Sequence, residues 1–208
     1  MRLTERCILI LAALGILSIL GLRAGVVPPL ESLVDLAEDT LEDGLRLAGV
    51  IRRTGGGNER GASASLKMLA TAQIDFRSND RDESGVCDFW RADVAGLFGL
   101  ERSGDALKLI DLSVACADDR PASVYRSLPG AHAPKAGYLF RAIRHADEAV
   151  PDPNRFAFCA FPSSYPNVGR STFIIDEGST VLRKDLGHGA GVEVFPPDPG
   201  KEGWIRMD

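Results

Sequence analysis

The sequence predicts an α+β fold, with an N-terminal apolar helix, amphipathic helices behind it and then an antiparallel β-meander. Three observations carry that expectation. Sixteen uncharged residues, Cys7 to Leu22, form an apolar run near the start. Apolar residues then recur every three or four positions through the first half, and every second position after Pro134. The composition, 45% hydrophobic and 25% charged over 208 residues, fits a globular chain with room for one domain of ordinary size beyond the leader. The expected divisions are 1–24, a membrane anchor or signal segment; 25–61, an amphipathic helix and Gly-rich linker; and 62–208, the globular domain.

Arg2 and Arg6 precede the apolar run and Arg23 closes it. At ~1.5 Å per residue a helix of that length reaches roughly 24 Å, short of the ~30 Å hydrocarbon core unless its flanking arginines snorkel. Length alone leaves anchor and signal peptide both open. The triplet Leu22-Arg23-Ala24 fits signal peptidase poorly, which favours a retained anchor. The excess of positive charge before the run orients the N-terminus to the cytoplasm. The expected location is therefore the bacterial inner membrane, single-pass, with the globular domain in the periplasm or outside.

Leu30, Leu33, Val34, Ala37, Leu41, Leu45 and Ala48 repeat at helical spacing, with acidic residues between them. Gly55, Gly56, Gly57 and Gly61 then read as a flexible linker. A second helix is expected from about Ala62 to Arg77, and two shorter ones over Asp88 to Leu100 and Asp105 to Cys116. Period-two alternation marks strands at Tyr138 to Ala142, Phe156 to Phe161 and Phe173 to Ile175, and Asp176-Glu177-Gly178-Ser179 reads as a hairpin turn. The Gly- and Pro-rich tail is expected to pack back through Trp204 and Ile205.

Few residues offer chemistry. Asp80, Asp82, Ser84 and Asp88 stand in a loop with Gly85 sixth from Asp80, the spacing of oxygen ligands in calcium loops, although Arg91 takes the place of the bidentate Glu. Calcium is the one cofactor this pattern suggests, against a plain solvated turn. Cys116 and Cys159 are the favoured disulfide pair for an oxidising compartment, the alternative being buried apolar cysteines. His132, His145 and His188 lack metal-ligand spacing, no G-x-S-x-G elbow occurs, and Arg141, Arg155 and Arg170 are expected on the solvent face of their strands. A net charge of -5 argues against nucleic acid as a partner.

The stretch Ala64-Ser65-Leu66-Lys67-Met68-Leu69-Ala70-Thr71-Ala72-Gln73-Ile74-Asp75-Phe76 resembles the helical stem of type IV pilin-like and pseudopilin-like bacterial proteins. Gly137-Tyr138-Leu139-Phe140, Phe158-Cys159-Ala160-Phe161-Pro162, Gly169 to Gly178 and Lys184-Asp185-Leu186-Gly187 resemble their sheet half. No leader Gly stands before the apolar run, a departure from the prepilin pattern that leaves filament assembly open. The resemblance implies a pilin-like domain and a non-enzymatic, membrane-tethered extracytoplasmic structural or interaction module, secretion-related, whose partners are the membrane and other envelope or secretion proteins. The rival expectation is an exported ligand-binding protein or an enzyme with a metal-assisted site.

Overall fold

The computed structural model describes residues 55–128 and 133–207. Helix α1, Gly55–Ser78, opens this part. Its Ala62, Leu66, Leu69, Ala70 and Phe76 are buried, so the three-and-four spacing becomes one apolar face. The helix begins inside the glycine segment that reads as a linker. Tertiary contacts explain the difference: Asn58 Nδ2 donates to the Val168 carbonyl at 2.8 Å, and Glu59 Oε1 accepts from the amides of Arg170 and Ser171, both at 3.1 Å. These bonds tie the first helical turns to the start of a strand and override the weak helix preference of glycine. The helix ends where Asp80 enters the left-handed region at φ 43°.

The two helices expected next shrink to α2, Gly96–Gly99, and α3, Leu112–Ala115. Between them lies a two-stranded hairpin of β1, Glu101–Arg102, and β2, Asp105–Ala106. The amides of Leu107, Lys108 and Leu109 donate to the carbonyls of Leu100, Phe98 and Leu97. Pairing across the turn thus takes the hydrogen bonds that a helix over 105–116 would have used. Apolar periodicity survives only in part, with Leu97 and Val114 reaching the core from these short helices and Val94 and Ile110 from irregular backbone.

A six-stranded sheet follows, built from β3, Tyr138–His145; β4, Ala157–Pro162; β5, Ser171–Asp176; β6, Leu182–Asp185; β7, Val194–Phe195; and β8, Ile205–Arg206. The spatial order is β7-β3-β4-β5-β6-β8. Every pairing is antiparallel except β3 with β7, where Arg144 and His145 pair in parallel with Val194 and Phe195. Both outer strands come from the C-terminal stretch 186–207, which we call the strap. The sheet is therefore mixed, and the pilin-like α+β arrangement, with its set of amphipathic helices and purely antiparallel meander, is corrected.

The register sets two cores. Phe158, Ala160, Tyr138, Phe140, Phe173 and Ile175 face α1, whereas Ala157, Cys159, Phe161 and Ile174 face the strap with Phe195 and Trp204. β4 is buried along its whole length, which is why it reads as a continuous apolar run. Tyr138 is sealed against Gly169, where an added Cβ would stand 2.1 Å from its hydroxyl, and that hydroxyl donates to the Ser171 carbonyl at 3.0 Å.

Single-pass anchoring in the inner membrane is likewise not upheld, since among the described residues no helix is long and apolar enough to cross a membrane. The apolar run 7–22, the amphipathic helix expected over 30–48 and His132 lie outside the described residues.

Candidate functional site

The loop between α1 and β3 is organised by two buried carboxylates. Asp93 Oδ1 accepts from the Gly96 amide at 2.8 Å and Trp90 Nε1 at 3.1 Å; its Oδ2 accepts from the Ala122 amide and the Tyr125 hydroxyl, both at 2.7 Å. Asp118 Oδ2 accepts from the Val94 and Ala95 amides, both at 2.8 Å, and its Oδ1 from the Arg120 amide at 2.9 Å. Burial pushes the Asp118 carboxyl up to about 6, ahead of the amide bonds that pull it down. Burial, helped by the bond to Asp93, also raises the Tyr125 hydroxyl. Gln73, fully buried on α1, completes the brace: its Nε2 donates to the Trp90 carbonyl and its Oε1 accepts the Trp90 amide at 2.9 Å. One side chain thereby pairs with a peptide unit as a strand neighbour would.

A second cluster closes the far end of the sheet. Arg155 Nη2 lies 2.7 Å from His145 Nδ1. A guanidinium only donates, so Nδ1 accepts and Nε2 carries the proton, which it donates to the Phe156 carbonyl at 3.1 Å. Glu177 Oε2 is 3.3 Å from the same nitrogen. Arg155 also binds Asp147 and Glu177, and its hydrogen bond holds the Asp147 carboxyl below the usual range. His145 is thus buried inside the fold and fully engaged, not a surface residue.

The third cluster sits under the strap. Arg141, expected on the solvent face, is buried, with Asp119 on one side and Glu193 of the strap on the other. Its guanidinium lies 5.0 Å from the Phe161 ring centroid. Arg120 adds a second bond to Glu193 at 3.0 Å.

Asp80, Asp82 and Ser84 occupy one turn after α1, whereas Asp88 lies beyond it, its amide donating to the Val86 carbonyl at 3.0 Å. Asp80 Oδ2 accepts the Gly85 amide at 3.0 Å, Asp80 Oδ1 the Ser84 hydroxyl at 3.4 Å, and Asp82 Oδ1 the Ser84 amide at 3.3 Å. Among the described residues no three His, Cys, Asp or Glu side chains gather as a metal-holding group. These oxygens serve the turn's own amides. The disulfide is corrected, for Cys87, Cys116 and Cys159 are all free. Cys159 lies in the apolar cluster under the strap, whereas Ala115 and Ala117, which flank Cys116, belong to the cluster facing α1.

The β6–β8 side of the sheet is accessible. A depression of about 360 Å³ there is lined by Ser171, Arg183, Lys184, Asp185, Gly203 and Ile205. Ile205 on the outer strand β8 is 53% exposed. Lys184 is committed to the Glu202 carbonyl and stands over the Trp204 ring. Sequence reasoning missed Gln73, Asp93, Asp118 and Arg141 as structural anchors. The buried Gln in the middle of an apolar helix face was the one available signal. No family model matches the chain, and no curated protein or solved structure matches it either.

Proposed function

We propose that the chain is a non-enzymatic structural or interaction module that engages another protein through the open edge of its sheet. The observation that carries this reading is the use of the buried titratable side chains. Asp93, Asp118, Arg141 and His145 each hold two or more internal partners. General acid–base or nucleophilic chemistry needs such a group aimed at a substrate, and these are aimed at the chain's own amides, carbonyls and ions. The outer side of β8 offers backbone groups and an exposed Ile205 to a partner strand. The resemblance of 64–76, 137–140, 158–162, 169–178 and 184–187 to pilin-like and pseudopilin-like proteins supports a structural role, with envelope or secretion proteins as the partners to look for.

Lys184 and Lys201 flank β8, so amine-reactive crosslinking with mass-spectrometric mapping reads this edge directly. Crosslinks to a partner at these lysines that disappear in Ile205→Asp support the reading. A saturable thermal shift with a small metabolite, abolished by Arg183→Ala in the depression, would replace it with ligand binding.

A further inference from the structure

We propose that the strap, residues 186–207, opens as a unit of its own while α1 and the β3–β6 meander stay folded, with the Arg141–Glu193 ion pair as its clasp. The inference rests on packing; it shares β8 with the function proposed above, and the labelling of Cys159 tests it apart from the crosslinks that test that function. The strap supplies both outer strands of the sheet, each only two residues long and each paired on one side. The Ala146 amide donates to the Phe195 carbonyl at 3.0 Å and the Met207 amide to the Val181 carbonyl at 2.9 Å, and the remaining hold is largely through side chains. Phe195 packs on the His145 ring with centroids 5.1 Å apart, Trp204 is buried, and Val192 packs against the apolar cluster that contains Cys159.

The clasp is built to release. Glu193 is 58% exposed, so water competes for it, and Arg141 keeps Asp119 when Glu193 leaves. Opening therefore strands no buried charge, which is the usual penalty for breaking such a pair. Thr172, on the strap-facing side of β5 with Ile174, is fully buried, and its hydroxyl has no hydrogen-bond partner. Opening hydrates that hydroxyl, which offsets part of the cost of baring Ala157, Cys159, Phe161 and Ile174. It also frees the outer edges of β3 and β6 at once, at Arg144 and His145 on one side and Leu182 and Arg183 on the other. The strap is thus an edge guard for the four-stranded meander.

Cys159 reports the motion because it is fully buried in the apolar cluster with Phe195 and Trp204 of the strap, against which Val192 packs, and its thiol is pushed up to about 12 by burial, so it reacts only when uncovered. The test is maleimide labelling of the full chain with peptide mapping, in increasing urea below the unfolding transition, with exposed Cys87 as the reagent control. Cys159 is expected to label with little urea dependence while the α1 amides stay protected from exchange. Glu193→Gln should speed that labelling by about threefold, in the range of a partly exposed ion pair. Raising the salt should speed it in the unmutated chain as well, by screening the same pair. Labelling of Cys159 that follows only the global transition, with its full urea dependence, and is indifferent to both Glu193→Gln and salt would overturn the proposal.

Discussion

The two faces of the central sheet are sealed by different means. One face is covered by a 24-residue helix that buries Leu66, Leu69 and Phe76 and is fixed at its N-terminal turns by Asn58 and Glu59. The other is covered by a strap with two short strands, few large apolar anchors and an ion pair reaching into it. The helix face draws its stability from apolar area, which is indifferent to small rearrangements. The strap face depends on a few specific contacts, which are lost together when the strap opens. The same sheet therefore offers a rigid side and a labile one.

The largest expected effect tests the rigid side. Leu69→Ala removes a fully buried side chain from the α1 face and should cost about 2–5 kcal/mol in a urea midpoint followed by circular dichroism. A loss under 1 kcal/mol would mean that α1 is not the cover on which the domain depends.

Next in size is the carboxylate brace, which holds the irregular 88–128 segment against the same face. Asp93→Ala abandons the Trp90 and Tyr125 donors and two amides, and should cost about 2–4 kcal/mol. The near-ultraviolet signal of Trp90 should change with it. An unchanged midpoint would show that the segment holds its place by apolar contact alone.

Asp118 gives a pH dependence of definite sign. Its folded pKa, about 6, lies above the ordinary 3.8, so between those values the folded chain binds the proton that the unfolded chain has released. Stability from this group is present below about 4 and is lost as pH rises to 6, by at most ~3 kcal/mol at 1.36 kcal/mol per unit. The exposed carboxylates Asp75 and Asp147, with lowered pKa values, act in the opposite direction. The clean measurement is the difference between the chain and Asp118→Asn: the margin by which the unmutated chain is more stable should shrink between pH 4 and 6. A margin that grows with pH would show that the three amides, not burial, control the group.

These residues also mark the limit of what the sequence makes legible. β3, β4 and β5 form over Tyr138–His145, Ala157–Pro162 and Ser171–Asp176 because a period-two division of side chains between two faces, both of them apolar in β4, is a local signal that the pleat must obey. The helices expected over 88–100 and 105–116 do not form, because long-range partners decide those segments. Gln73 pairs with Trp90, and Asp118 takes the amides of Val94 and Ala95, from 17 to 24 positions away. Glycines 55–57 join α1 for the same kind of reason, since the anchors of Asn58 and Glu59 lie more than 100 positions along the chain. The burial of Arg141 depends on a strap whose parallel pairing with β3 leaves no mark in composition or period. Of the candidate site residues, the turn at Asp80 to Ser84 was visible, but its oxygens turn out to serve the local backbone.

The smallest of these effects decides whether the two faces really differ. Trp204 anchors the strap, and a buried Trp→Ala change commonly costs ~3–5 kcal/mol. If the strap belongs to the same cooperative unit as α1, Trp204→Ala should show that full loss in global stability. If the strap opens separately, the loss is capped. Once the mutation costs more than local opening does, the open form becomes the ground state, and further weakening of the strap no longer touches the helix and meander. The expected loss in midpoint stability is then roughly half the usual figure. Cys159 should become as reactive as exposed Cys87 in the same variant, while the amides of α1 remain protected. Full loss of stability with Cys159 still unreactive below the transition would make the two faces equivalent. A capped loss with a freely reacting Cys159 leaves only the strap mobile, because the sheet beneath it keeps its helix-side core of Tyr138, Phe140, Phe158 and Phe173 intact.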